Sequence, residues 1–411
     1  MLSRSGGMRT DGNKTMRHRI IVLGAGYAGT SAAGYLARHL HPDDFEITVV
    51  NAEPDFVERM RLHQLAAGRP LRRHGLAKMF AGTGIRLRVA RVTAVDTQRR
   101  TVTVSDGEGA DRIEYDTLLY TLGSTIGENG VAGVGEYAFH VAGRPAALRL
   151  RKRLDDLGEG GTVLVVGGNL TAIEAATEFA ESRPGLRVTL ATSGELGGWL
   201  GPKGRRHLLR SFDGFGIAVH EHTTIERVER TGAVAADGTV FAADATVWAA
   251  GFAVHPIAAA SGLAVEDDGR ITVDRMMRSV SHPEVYAAGD SAYVIGENGQ
   301  PLPMSCASAG FTRMQATASI VGDLTGGTIS RTSLAYLGNC ISLGGRDAIF
   351  QAVDGDARSK PWSLRGRPAA RFKAFVLRGS AWNMSHPTYG LPTRRRRRAT
   401  TLDRAPAAVA G

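Results

Sequence analysis

Gly24, Gly26 and Gly29 stand between an apolar run, Ile20-Ile21-Val22-Leu23, and a stretch of helical pattern over residues 30–40. Glycines at this spacing suit a turn that carries phosphate. The first makes the turn tight, the second removes a Cβ that would hold a pyrophosphate off the backbone, and the third lets the helix lie close to the strand. The phosphates then meet the unpaired N–H groups and positive dipole end of that helix, whose first turn holds Tyr27 and Ala28. The apolar run over 45–50 returns as a second parallel strand and ends at Asn51-Ala52-Glu53. A dinucleotide fold places the group for the adenosine ribose at that strand end. Asn51 holds the register and Glu53 follows two residues later.

The pattern returns 143 positions on, in Val163-Leu164-Val165-Val166-Gly167-Gly168-Asn169, followed by a helical stretch over 173–182 and a strand over 186–190. A buried strand ending at Gly123 is mirrored by one ending at Gly251. Ordered duplication of this kind predicts two dinucleotide-binding units and two dinucleotides. A short strand ends at Gly289-Asp290, where Asp290 is a candidate for the ribityl chain of a flavin or a cap for the next helix, read over 305–324. The basic stretch 56–64, with Arg61, meets the pyrophosphate or flavin edge, or is a solvated helix face. Runs 85–92 and 100–104 alternate with period two, as antiparallel strands do, and Val92 joins the candidate cofactor positions.

The elements that position these residues belong to a chain of 411 residues, long enough for two or three domains, with 43% hydrophobic residues and 52 glycines. Lys and Arg number 50 against 40 Asp and Glu, and five of that excess are the run 394–398. The two cysteines, Cys306 and Cys340, form no C-x-x-C pair, which excludes a disulfide framework and points to a reducing, cytoplasmic setting. No His, Cys and acid spacing marks a metal site, and no apolar stretch reaches membrane-spanning length. Residues 1–17 read as a disordered leader.

Gly24-Ala25-Gly26-Tyr27-Ala28-Gly29, Tyr120-Thr121-Leu122-Gly123, Gly167-Gly168-Asn169-Leu170-Thr171-Ala172-Ile173-Glu174, Trp248-Ala249-Ala250-Gly251 and Tyr286-Ala287-Ala288-Gly289-Asp290 follow one another in a telling order. The set resembles two-dinucleotide-fold flavoproteins, in the branch of type II NADH dehydrogenases and apoptosis-inducing-factor-like oxidoreductases. The resemblance implies an α/β fold of two Rossmann-like domains: an FAD domain split around an inserted NAD(P)-type domain, plus a C-terminal region. The corresponding plan is 18–125 and 253–328 for FAD, 126–252 for NAD(P), 329–390 for the C-terminal region and 391–411 for a disordered basic tail. It implies hydride transfer from NAD(P)H to FAD and on to a quinone or other small acceptor. Gly24, Gly26 and Gly29 would face the FAD pyrophosphate, Asn51 the ribose, Gly123 the flavin side and Asp290 the ribityl chain. Glu174 would lie near the nicotinamide as the catalytic residue, and Glu178, one turn on, would be solvated or capping.

Two departures bear on the second nucleotide. Asn169 and Ala172 replace the second and third glycines, so a Cβ and an amide stand where the pyrophosphate approaches, and the strand end Leu190-Ala191-Thr192-Ser193 has neither acid nor Arg to select NADH or NADPH. Alternative readings are a flavoenzyme acting directly on an organic substrate with a degenerate second site, and a flavin-bearing binding protein with little turnover. Cys306 is expected beside the flavin, as a reactive thiol or, preferably, a buried spectator, and Cys340 in the core. Residues 361–384 carry Phe372, Phe375 and Val376 with Arg371, Lys373 and Arg378: a basic helix that rests on an anionic membrane or, in preference, packs on the flavin domain. The run 394–398 lacks aromatic interleaving, so no nucleic-acid partner is expected.

Overall fold

In a computed structural model, residues 16–336, 338–354 and 358–399 are described. The leader and the end of the basic tail lie outside them, apart from Met16, Arg17 and residues 391–399. Strand β1 (His18–Leu23) leads through the first glycine turn into helix α1 (Tyr27–His39) and back to β2 (Phe45–Asn51). β1 lies between β2 and β4 (Thr117–Tyr120), with Leu23 opposite both Val50 and Tyr120 in parallel register. β3 (Ile85–Val89) extends the sheet beyond β2, and Val285–Ala287 extends it beyond β4.

The alternating run at 85–92 therefore splits. Residues 85–89 pair parallel with β2, whereas Arg91–Asp96 pairs antiparallel with Thr101–Ser105. The chain leaves the main sheet at Ala90, whose N–H donates to Asn51 O at 2.9 Å. Period two reports one buried face and does not fix the direction of pairing.

The second unit repeats the construction. β5 (Thr162–Val166) enters helix α3 (Leu170–Ser182) and returns in β6 (Arg187–Ala191); β7 (Ala245–Trp248) lies on the other side of β5. Val166 faces Ala191 and Trp248, as Leu23 faces Val50 and Tyr120. Each unit also carries a three-stranded antiparallel sheet, 91–114 in the first and 225–242 in the second. Ile20, Val22, Leu36, Val49, Leu118 and Ile320 share one core; Val163, Ile173, Phe179, Leu190 and Phe212 share another.

The C-terminal region joins the second core rather than standing apart. Its antiparallel sheet, β8 (Gly338–Leu343), β9 (Asp347–Val353) and β10 (Ser359–Arg365), contributes Ile341, Leu343 and Ile349, and helix α2 (Leu62–Ala66) contributes Leu62 and Leu65. The buried Gln351 amide locks the junction: Oε1 accepts Gly201 N–H at 3.1 Å and Nε2 donates to Lys360 O at 2.7 Å. Helix α4 (Cys306–Thr325) follows the Gly289 turn, and α5 (Arg367–Ser385) closes the fold over β9.

The basic run does not trail away as expected. Arg396 exchanges backbone hydrogen bonds with His39 and His41 (2.8 and 2.9 Å), and Arg397 pairs with Asp43 and Asp44 at 3.0 and 2.9 Å. Acidic partners in the loop after α1 hold this stretch down. Among the described residues no helix is long and apolar enough to cross a membrane.

Candidate active site

The first glycine turn is built as its spacing requires. Gly24 has φ +92°, and a Cβ there would stand 2.6 Å from Thr121 O; a Cβ at Gly29 would stand 1.9 Å from Gly24 O. A Cβ at Gly26 would meet no protein atom within 4 Å, so this glycine borders space kept open. Gly26 is also the N-cap of α1 and provides no side chain to close the helix. The N–H groups of the first turn, at Tyr27, Ala28 and Gly29, stay available to an anion. Tyr27 packs edge-on against Phe56 at 5.0 Å, and Ala28 lies against Gly289. An uncapped N-terminus facing an open cradle fits a pyrophosphate, and so fits FAD.

The strand end departs from expectation. Asn51 Oδ1 accepts the Ala25 N–H and Nδ2 donates to Glu53 O, both at 2.8 Å, so the amide braces the glycine turn. The half-buried Glu53 carboxylate has no hydrogen-bond or ion partner among the described residues and is the acid available at this strand end. Arg61 is engaged by Glu58 at 3.1 Å and Gln64 at 3.0 Å. Its neighbour Arg59, not singled out from sequence, instead reaches the site: Nη2 donates to Ser124 Oγ at 3.0 Å, and Nη1 lies 4.0 Å from Asp290 Oδ2. Val92 is a core side chain paired with Val104.

Asp290 sits in a network rather than alone. It accepts from Ser124 Oγ at 2.6 Å, while Gly123 donates to Ser291 Oγ at 3.1 Å. Gly123 and Gly289 both have positive φ (+72° and +76°), which lets two backbone segments turn at one place. At the nearby end of α4, Ser305 caps the helix by accepting the Ser308 N–H at 3.0 Å, and burial pushes the Cys306 thiol up to about 12, against the reactive reading.

In the second turn, Gly167 has φ +135° and Gly168 lies against Thr192, where a Cβ would be 2.3 Å from Oγ1. Asn169 is the N-cap of α3 in extended conformation (φ −85°), nearly that of Gly26 (φ −76°), so no left-handed backbone is needed. Its amide folds back: Oδ1 accepts the Ala172 N–H at 3.1 Å and Nδ2 donates to Ala249 O at 2.8 Å. The amide thus takes one donor of the helix end rather than projecting into the turn. Gly251 lies beside the Asn129 amide, whose Nδ2 donates to Ala250 O at 3.2 Å.

Glu174 is buried where α3 meets β8 and α5. Oε1 accepts the Ser342 N–H at 3.0 Å and pairs with the Lys373 ammonium, which also donates to Cys340 O at 2.8 Å. Oε2 faces His63 of α2, with Nδ1 at 3.8 Å. Burial alone would raise the Glu174 pKa, but Lys373, His63 and the hydrogen bonds outweigh it and hold the carboxyl below its ordinary value. Burial pushes His63 down to about 4, so the imidazole is neutral at pH 7. Glu178, expected to be solvated, is fully buried and paired with Arg69; burial raises its pKa. Cys340 is half-buried at the rim of this cluster, not in the core.

Lys373, read from sequence as one of the basic residues of its helix, and His63, part of the basic stretch 56–64, were not read as partners of Glu174. The Lys373 signal was its place four residues after Ala369, both on the buried face of α5, whereas Phe372, Phe375 and Val376, which looked like the packing stripe, are exposed, Phe375 by 74%. Among the described residues no cluster of three His, Cys or acidic groups could hold a metal.

The chain is 26% identical over 357 residues to an NADH dehydrogenase-like protein of Mycobacterium tuberculosis, covering 81% of this chain and 87% of the relative. It is 24% identical over 370 residues to a type II NADH:quinone oxidoreductase of Staphylococcus haemolyticus, covering 81% and 89%. Its fold is similar to that of NDH2 from Plasmodium falciparum in complex with NADH, with TM-score 0.75 and 15% identity over 91% of this chain and 98% of that one. A family profile described as pyridine nucleotide-disulphide oxidoreductase matches residues 18–312. Two dinucleotide folds, an open first cradle and this match make the chain a member of the pyridine nucleotide-disulphide oxidoreductase family, an FAD-dependent NAD(P)H oxidoreductase.

Proposed function

We propose that the protein passes the electrons of NAD(P)H to a quinone at a membrane surface. One observation carries this reading: α5 turns Lys373 inward to Glu174 and presents Phe372, Phe375, Val376 and Trp382 outward among Arg367, Arg371 and Arg378. A single helix thus connects a buried acid–base pair to an apolar, cationic face suited to anionic lipid, where lipid-soluble acceptors dissolve. The free N–H groups at α1 would hold the FAD pyrophosphate, Glu53 the ribose, and Asp290 with Arg59 and Ser124 the ribityl side; bound FAD supplies hydride acceptance and two-electron release. The second glycine turn and α3 would receive NAD(P)H, with Glu174 near the nicotinamide. The curated relatives named for quinone reduction support the same acceptor class.

The test is anaerobic. Protein reduced with one equivalent of NADH is mixed with a short-chain ubiquinone, and separately with oxygen, while flavin absorbance is followed. Reoxidation by quinone should be at least tenfold faster than by oxygen. Comparable rates, or none with quinone, would turn the search to organic substrates. Cosedimentation with vesicles containing anionic lipid, lost in Phe375→Asp, tests the membrane face.

A further inference from the structure

The end of β6 borders the second glycine turn through Thr192, yet it carries no acid. Ala191 is the last residue of the strand, and Ser193 stands where the first unit has Glu53, two residues past its own strand end. Ser193, Gly194 and Glu195 are exposed, and a Cβ at Gly194 would meet no protein atom within 4 Å, so this rim borders open space as Gly26 does. The strand beyond β6, Ala218–His220, runs parallel to it with His220 opposite Ala191. The Thr192 N–H donates to His220 O at 2.9 Å and the Thr223 N–H to Thr192 O at 2.8 Å, which brings Glu221 to the same carboxyl-terminal edge of the sheet. Only one of its oxygens is held there. Oε1 accepts the Leu196 N–H at 2.7 Å and Arg205 Nη2 at 3.1 Å, while Oε2 has no hydrogen-bond partner among the described residues and 30% of the side chain is exposed. Arg205 also donates from Nε to Leu196 O at 3.2 Å and lies 3.6 Å from Glu195, so two carboxylates share one guanidinium.

We propose that Glu221 replaces the acid missing from β6: its Oε2 accepts the 2′-hydroxyl of the adenosine ribose, and the corner it forms with Glu195 and Arg205 selects NADH over NADPH. The inference rests on the second glycine turn as the nucleotide site. Open α/β sheets bind ligands in the crevice at the carboxyl ends of their strands, where a carboxylate takes the 2′-hydroxyl and an available arginine takes a 2′-phosphate. Arg205 is not available, because Glu221 and Glu195 already neutralise it. A 2′-phosphate, with a charge of about −2, would meet two carboxylates and one paired cation. The acid comes from the neighbouring strand because Ser193 has displaced it from the usual one, and the pairing of Ala191 with His220 sets the two strand ends side by side.

Isothermal titration of the FAD-loaded, oxidised protein with NAD⁺, 2′-deoxy-NAD⁺ and NADP⁺ tests this without turnover. A hydrogen bond to a charged acceptor predicts that NAD⁺ binds about tenfold more tightly than either of the others. Glu221→Gln keeps an oxygen for the Leu196 N–H and Arg205, so the loop stays in place while the charge is lost. The variant should bind NAD⁺ about tenfold more weakly, bind 2′-deoxy-NAD⁺ as the wild type does, and bind NADP⁺ more tightly. A merely structural role would weaken all three alike, and that result would overturn the assignment, as would equal binding of NAD⁺ and 2′-deoxy-NAD⁺ by the wild type. Tighter binding of NADP⁺ than of NAD⁺, lost in Arg205→Met, would overturn it by making Arg205 the reader of a 2′-phosphate. Wild-type protein that binds none of the three would remove the nucleotide site itself, whereas the other failures leave that site standing.

Discussion

Replacing Asn169 with glycine should tighten nucleotide binding while barely disturbing the fold. The native amide takes the Ala172 N–H at 3.1 Å and donates to Ala249 O at 2.8 Å. Asn169 already has extended backbone angles close to those of Gly26, so glycine can occupy the place unstrained. The lost cap costs a few tenths of a kcal/mol and the lost bond to Ala249 about 1 kcal/mol. The variant opens the Ala172 N–H to a pyrophosphate, and a hydrogen bond to a charged group contributes about 1.5–3 kcal/mol, equivalent to roughly tenfold or more in Kd. Isothermal titration with NAD⁺ measures this without reducing the flavin, and Asn169→Ala, which opens the same N–H but keeps a Cβ, separates amide from bulk. Unchanged or weaker binding by folded Asn169→Gly would refute the reasoning and make the amide itself a cofactor contact.

Gly26→Val should yield folded protein without FAD, since its added carbons enter space no protein atom occupies, whereas Gly29→Ala should fail to fold because its Cβ meets Gly24 O at 1.9 Å. Circular dichroism with flavin stoichiometry distinguishes the two. Lys373→Met leaves Glu174 buried without its cation and should destabilise by about 3–5 kcal/mol in urea melts, and adding Glu174→Gln should recover much of that loss. Stability should also fall on acidification. His63 is depressed from 6.5 to about 4 in the fold, so between those values the unfolded chain binds the extra proton, and stability drops by up to about 3 kcal/mol as pH falls through that window. His63→Phe should flatten this part of the profile. The Glu174 share, also lost as pH falls because its folded pKa lies below the ordinary value, should remain at lower pH.

What the sequence disclosed and what it withheld follow from range. The two glycine turns, the strands that enter them and the duplicated strands ending at Gly123 and Gly251 are local patterns in which periodicity and turn chemistry suffice. The direction of pairing at 85–92 was not legible, because an alternating run looks the same in a parallel edge and an antiparallel hairpin. The cluster of His63, Glu174 and Lys373 draws on segments more than a hundred residues apart; the resemblance marked Glu174, but His63 and Lys373 alone pass for a core histidine and an ordinary surface charge. Arg59 and Arg61 differ by two positions, yet only the fold decides that one meets Asp290 and the other Glu58. Glu178 and the run 394–398 were misjudged because charge suggests solvent until a partner, here Arg69, Asp43 or Asp44, appears beside it.

The most direct measurement is an anaerobic stopped-flow titration of the purified protein with NADH and with NADPH, followed at the oxidised flavin band. Rapid, stoichiometric bleaching by at least one of them is the expected result for an FAD-dependent NAD(P)H oxidoreductase. Flavin that stays oxidised with both nucleotides, in protein carrying a full complement of FAD, would contradict it.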